Sequence, residues 1–140
     1  LVMANNASIS GAEGGCQAEI GSASAMAAAA LVWAKGGSAE QSAQAVAITL
    51  KNMMGLICDP VAGLVEVPCV KRNALGSSQA FISADMALAG IKSVIPADEV
   101  IAAMYQVGRQ MPAIFKETAE GGLAMTPTAQ RLTKELMGTE

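Results

Sequence analysis

Residues 14–37 read GGCQAEIGSASAMAAAALVWAKGG. Ala and Ser dominate its middle, from Ser22 to Ala30, glycine pairs bracket it and no proline interrupts it. The pattern predicts one long helix through Gln17, Ala18, Ile20 and the Ala block to Trp33, closed at Gly36 and Gly37, where a left-handed terminus is easily adopted. A helix clothed in methyl groups is thin, and the distance between packed helices follows the side chains at their contact. This helix is therefore expected at the centre of the domain, with the remaining segments wrapped around it.

Working outward, Ser38 with Gln41 three residues on has the form of a capping box. Val46, Leu50, Met53, Met54 and Ile57 follow at helical spacing until Pro60, so a second helix is expected over roughly Ala39 to Leu56. Pro60, Gly63 and Pro68 break up the stretch from Cys58 to Cys69, and Val61, Leu64, Val65 and Val67 there read as an apolar loop or a very short strand. A third helix should start between Cys69 and Asn73 and bury Leu75, Ile82 and Met86 before about Gly90. A fourth opens at Pro96, with Asp98 and Glu99 in its first turn and Val100, Met104 and Val107 on one face. Pro112 starts a short piece ended by Gly121 and Gly122. Thr126 and Pro127 then cap a last helix whose buried stripe is Leu132 and Leu136 and which closes at Gly138. The expected fold is all-α, a single compact domain over residues 1–140 with five or six helices and an Ala-rich central one, without internal repeats.

Composition agrees and narrows the function. The chain has 140 residues and 14.1 kDa, enough to bury roughly two-thirds of the surface that the unfolded chain exposes. Ala supplies 28 residues and the aromatics only four, so the core must be small aliphatic side chains and methionine rather than a sheet interior. Histidine is absent, which removes Ser-His-Asp and Cys-His devices and His-ligated zinc from within this chain. A net charge of −3 without a long basic run argues against nucleic-acid binding. The apolar stretch Ala23 to Ala34 is too short to cross a membrane, and no signal-peptide pattern or nucleotide-binding glycine motif is present. Three Cys in an acidic chain point to a reducing cytoplasm. The opening at Leu1 rather than Met suggests a domain cut from a longer polypeptide.

Cys16, Cys58 and Cys69, separated by 42 and 11 residues, all fall at expected helix ends, where free N–H groups and the helix dipole favour thiolate over thiol. No Cys-x-x-Cys pair exists, so zinc-finger and thioredoxin readings lack support. Spacing alone leaves metal ligands, catalytic thiols and buried core hydrophobes all open. A helical structural or interaction domain with buried Cys is the alternative function.

The local sequences are more specific. Gly14-Gly15-Cys16-Gln17-Ala18-Glu19-Ile20-Gly21-Ser22-Ala23, the run Cys58-Asp59-Pro60-Val61-Ala62-Gly63-Leu64-Val65-Glu66-Val67-Pro68-Cys69, and Lys71-Arg72-Asn73 together resemble the α-chain, or C-terminal catalytic region, of the iron–sulfur-dependent bacterial L-serine dehydratases, over essentially the whole chain. The resemblance implies a PLP-independent lyase of amino-acid degradation and gluconeogenesis that converts L-serine to pyruvate and ammonia. It also implies a [4Fe–4S] cluster on Cys16, Cys58 and Cys69 with one iron left open as a Lewis acid for the serine hydroxyl, a chemistry shared with other three-thiolate hydro-lyases. On this reading Lys71, Arg72 and Asn73 bind the substrate carboxylate or offset cluster charge at a helix start, and Gln17 and Glu19 support the cluster from behind its ligands. Glu19, Asp59, Glu66 and Lys71 lie near the ligands, yet none is a convincing α-proton base. The base is expected in upstream catalytic sequence that, with a regulatory domain or β-chain, makes up the rest of the enzyme, so the fragment alone should be inactive. Homo-oligomerisation is expected. Some members end in a Cys, whereas this chain ends Gly138-Thr139-Glu140.

Overall fold

A computed structural model describes residues 1–138; Thr139 and Glu140, the end of the expected single domain, lie outside the described residues. Seven α-helices are present among the described residues: α1 (Val2–Asn6), α2 (Gly11–Gly14), α3 (Ser22–Ala34), α4 (Ala39–Met53), α5 (Cys69–Leu88), α6 (Ala97–Gln110) and α7 (Pro127–Met137). Two of these are short, leaving five long helices, and the architecture is all-α as expected. Single 3-10 turns at Val61–Gly63, Ala113–Phe115 and Gly122–Met125 complete the connections.

Local signals in the sequence account for most boundaries. The Ser38 hydroxyl accepts the Gln41 N–H at 3.1 Å while Gln41 Oε1 accepts the Ser38 N–H at 2.9 Å, a complete capping box at the head of α4. That helix stops at Met53 rather than Leu56, because Met54 turns extended and Gly55 takes a left-handed φ of +86°. Thr126 Oγ1 accepts the Ala129 N–H and Pro127 fills the first position of α7, which ends at Gly138 with φ +65°. The expected single helix from Gln17 to Trp33 is instead two pieces. A π-helical turn over Gln17–Gly21 feeds into α3, so its first turn is wider than an α-helix allows.

The Ala-rich helix is central: α3 packs against both α4 and α5, and α4 reaches α6 on its far side. One core layer joins Met3, Ala25, Ala47, Leu50, Val100, Ile101 and Met104; a second joins Ala28, Val32, Ala45, Ala80, Ala84 and Ala87. The second layer corrects the expectation for α5. Leu75 and Ile82 are each 53% exposed, and the inward face carries Gly76, Ala80, Ser83, Ala84 and Ala87 instead. Opposite a methyl-clad helix there is room only for side chains of similar size, so the larger residues of α5 turn outward. The same correction holds for α7, whose Leu132 and Leu136 are exposed while Ala129 is buried. That helix lies on the 3-10 turns at Val61–Gly63 and Gly122–Met125 and gains little depth. The stretch between Cys58 and Cys69 is the expected loop, carrying one 3-10 turn at Val61–Gly63, and Cys58 forms one isolated parallel bridge with Lys116. Among the described residues no helix is long and apolar enough to cross a membrane.

This packing carries a test that reverses the intuitive ranking of side chains. Ala84→Leu should cost about 1–3 kcal/mol by overpacking the α3–α5 contact. Ile82→Ser should stay within about 0.5 kcal/mol. Chemical denaturation of the two variants beside the parent checks both.

Candidate metal centre

The three Cys arrive on three separate pieces of backbone. Gly15, at φ +76°, makes the turn that delivers Cys16; a Cβ there would lie 2.7 Å from Met111 Sδ and 2.9 Å from the Leu56 carbonyl, so only glycine fits. Cys16 is fully buried at the head of the π-helical turn. Gln17, also buried, spans the gap behind it: Nε2 donates to the Met104 carbonyl at 2.9 Å and Oε1 accepts the Gly55 N–H at 2.9 Å. Its backbone N–H donates to the Leu56 carbonyl at 2.9 Å, so Gln17 clamps the turn between α6 and the end of α4. Cys58 is held by its own backbone, donating N–H to the Phe115 carbonyl and accepting from the Glu117 N–H, both at 2.9 Å. Cys69 opens α5 and is partly buried.

All three are free thiols. Cys16 and Cys58 are buried in the same cluster, and Cys16 lies near enough to both other sulfurs to oppose the ionisation of Cys58 and Cys69. Burial pushes the Cys58 thiol far above its ordinary range, and Cys16, Glu117 and Cys69 push the same way. Burial likewise raises Cys69, with Cys16 and Glu19 adding to it and Arg72 opposing. The expectation that helix ends favour thiolate does not apply at Cys58, which lies outside any helix, and at Cys69 burial with the charges of Cys16 and Glu19 outweighs the head of α5. Among the described residues, no three Cys, Asp or Glu side chains close around a single point as the ligands of one ion would. Ligands of a lone zinc all sit about 2.0–2.3 Å from one centre. In an iron–sulfur cluster each thiolate serves a different iron, so the donor set here, three sulfurs without histidine, suits a cluster better than a single ion.

An ion pair between the buried Asp59 and the half-buried Arg72 holds the site together. Arg72 Nη1 lies 2.7 Å from Asp59 Oδ1, 2.8 Å from the Ile57 carbonyl and 3.8 Å from Cys16 Sγ. Asp59 is 2% exposed, and its second oxygen accepts the Leu123 N–H at 2.7 Å. Gly122, at φ +57°, permits that contact, since a Cβ there would fall 2.8 Å from Asp59 Cβ. Burial works against the guanidinium charge, but the hydrogen bond and charge of Asp59, joined by Cys16, hold its pKa above the ordinary arginine value.

The structure distributes the other sequence candidates. Of Lys71, Arg72 and Asn73, only Arg72 points into the site; Lys71 and Asn73 are exposed, and Asn73 lines a small cleft with Ile20, Ser24 and Gly76. Glu66 is exposed in its loop. Glu19 is exposed overall, yet its carboxylate reaches the sulfur site. A Cβ built on Gly11 would lie 3.0 Å from Glu19 Oε2, 3.3 Å from Cys58 Sγ and 3.7 Å from Glu117 Oε2, so the missing side chain of Gly11 leaves space beside Cys58. Sequence reasoning gave no sign of Glu117 or Gly11. Glu117 arrives through the backbone bonds to Cys58, with a left-handed φ of +66° that no local pattern announces. Replacing one partner of the buried pair, Asp59→Ala, strands the Arg72 charge and should destabilise the chain by about 3–5 kcal/mol in urea unfolding.

The chain is similar to proteins of one family along its length. The family model described as serine dehydratase alpha chain matches residues 1–124. The probable L-serine dehydratase alpha chain of Bacillus subtilis is 70% identical over 138 residues, 99% of this chain and 46% of that protein. The corresponding protein of Latilactobacillus sakei is 59% identical over 140 residues, all of this chain and 67% of that one. The L-serine dehydratase alpha chain of Peptoniphilus asaccharolyticus is 54% identical over 136 residues, 97% of this chain and 47% of its own length. The chain thus spans about half the length of two of these relatives. With a match over 124 of its 140 residues, the chain belongs to the serine dehydratase alpha chain family.

Proposed function

We propose that this chain is the cluster-bearing part of an L-serine dehydratase, a PLP-independent lyase converting L-serine to pyruvate and ammonia, and that Cys16, Cys58 and Cys69 hold a [4Fe–4S] cluster. The observations that carry the reading are that Cys16 and Cys58 are free thiols buried in one cluster, that Cys69 is a free thiol at the head of α5, and that the Arg72 guanidinium lies 3.8 Å from the Cys16 sulfur. The names of the relatives supply the substrate. Free thiols in a buried site also suit the reducing cytoplasm.

When bound, a cluster with an iron lacking a protein thiolate supplies a Lewis acid for the serine hydroxyl. The chain's own residues do the rest of the work assigned here. Cys16 and Cys58, both buried, provide sulfur ligands shielded from water, and the Gln17 clamp keeps Cys16 at a fixed height above α6. Lys71 and Asn73, exposed near the head of α5 outside the sulfur site, offer a cation and an amide to a substrate carboxylate arriving from solvent. Glu19 and Glu117 bring negative charge next to Cys58 and suit the serine ammonium rather than its carboxylate. Without histidine, the α-proton base falls to sequence beyond these residues, consistent with relatives about twice as long. The full enzyme would then be completed by that catalytic sequence, by a regulatory domain or β-chain and by further copies of itself.

Anaerobic reconstitution with iron and sulfide tests the proposal. The expected product is a brown protein with about four irons and four sulfides per chain. Cys16→Ser, Cys58→Ser and Cys69→Ser should each abolish that content, and L-serine should perturb the cluster spectrum of the parent. A folded, colourless parent without bound iron overturns the reading.

A further inference from the structure

The Arg72 guanidinium touches a sulfur rather than solvent, and the contact is built. Its Nη1 faces Cys16 Sγ at 3.8 Å while two further acceptors, Asp59 Oδ1 and the Ile57 carbonyl, fix the nitrogen from behind at 2.7 and 2.8 Å. The Arg72 side chain is 16% exposed and that of Asp59 2%, so neither charge is dissipated in water. Asp59 is itself anchored by the Leu123 N–H, which leaves the pair little freedom to swing away from the sulfur.

We infer that Arg72 is a positioning residue that donates a hydrogen bond to the Cys16 sulfur in the cluster-loaded protein and sets the cluster's reduction potential. The inference rests on the cluster assignment proposed above. Hydrogen bonds to ligand sulfur and nearby positive charge stabilise the more negative, reduced state of a cluster, and so raise its potential. The role differs from gripping substrate, because the Nη1 donor that faces the site is already shared among protein acceptors. All three contacts converge on the single nitrogen Nη1, which the Asp59 and Ile57 acceptors hold within reach of the sulfur.

Reduction potentials of the reconstituted holoprotein test it. Arg72→Lys keeps the charge but loses the Nη1 donor, and is expected to load iron and titrate at a lower potential than the parent. Because a lone substitution strands Asp59, the double variant Asp59→Asn with Arg72→Gln removes both charges together; it is expected to shift the potential further in the same direction, with far-UV circular dichroism confirming the helical fold. Potentials equal to the parent's in both iron-loaded variants overturn the inference and leave the cluster assignment standing. A parent that takes up no iron overturns the assignment and the inference with it.

Discussion

The site depends on one buried ion pair. Three cysteines on three backbone segments have no disulfide to join them, and burial together with neighbouring negative charge opposes charging Cys58 and Cys69. The Asp59–Arg72 pair connects all three segments. Arg72 lies one helical turn beyond Cys69, Asp59 is the immediate neighbour of Cys58, and Arg72 Nη1 reaches the Cys16 sulfur. The free oxygen of Asp59 holds the Leu123 N–H, which extends the same connection to the turn supporting α7. Such a pair gains its strength from geometry, since desolvating two charges is offset only when the remaining lone pairs and protons find partners. Here the Ile57 carbonyl and Leu123 N–H supply them.

The rest of the fold provides a platform stiff enough for that pair. Helices α4 and α5 pack on α3 largely through Ala, Ser and Gly, whose side chains have few or no rotamers to lose on burial. Close approach of this kind leaves little slack, and the position of Cys69 at the head of α5 is tied directly to how α5 seats on α3. The same closeness drives the larger apolar groups outward: Trp33 at 73% exposure and Phe81 at 54% face away from the core. Neither could be admitted on the inner face without separating the helices that place the cysteines.

Much of this was legible in the sequence, and the misses share causes. Caps and breakers are local signals, so the capping box at Ser38, the Thr126–Pro127 start and the glycine stops were readable within a few residues. Which face of a helix is buried is not local. Apolar residues lie on both sides of α5, and only the thinness of its neighbour decides that Ala84 goes in and Ile82 goes out. The π-helical turn after Cys16 was hidden for the same reason: it arises where Gln17 is pulled both to Met104 and to Gly55, partners distant in sequence. At the site, the Cys positions and the cation beside Cys69 were visible. Arg72's direction, Gly11's open space and Glu117's arrival all depend on tertiary contacts that carry no motif.

The electrostatics of the sulfurs explain why a buried arginine belongs at such a place. Cys58 and Cys69 resist losing their protons, Cys58 strongly, because each anion would lie among other sulfurs and carboxylates in a poorly solvated pocket. A metal centre that takes these sulfurs must displace those protons and return positive charge to the site, so binding and deprotonation are coupled. Arg72 lowers the cost of that exchange before any metal arrives, since its charge already opposes the upward shift at Cys69 and its N–H already faces Cys16. A mobile surface cation would be screened by water and free to leave. Holding it in place requires a second buried charge, and Asp59 meets that need from the segment that carries Cys58. The ion pair and the thiols are therefore electrostatically joined: the carboxylate fixes the guanidinium, and the guanidinium sets a positive charge beside Cys16 and Cys69.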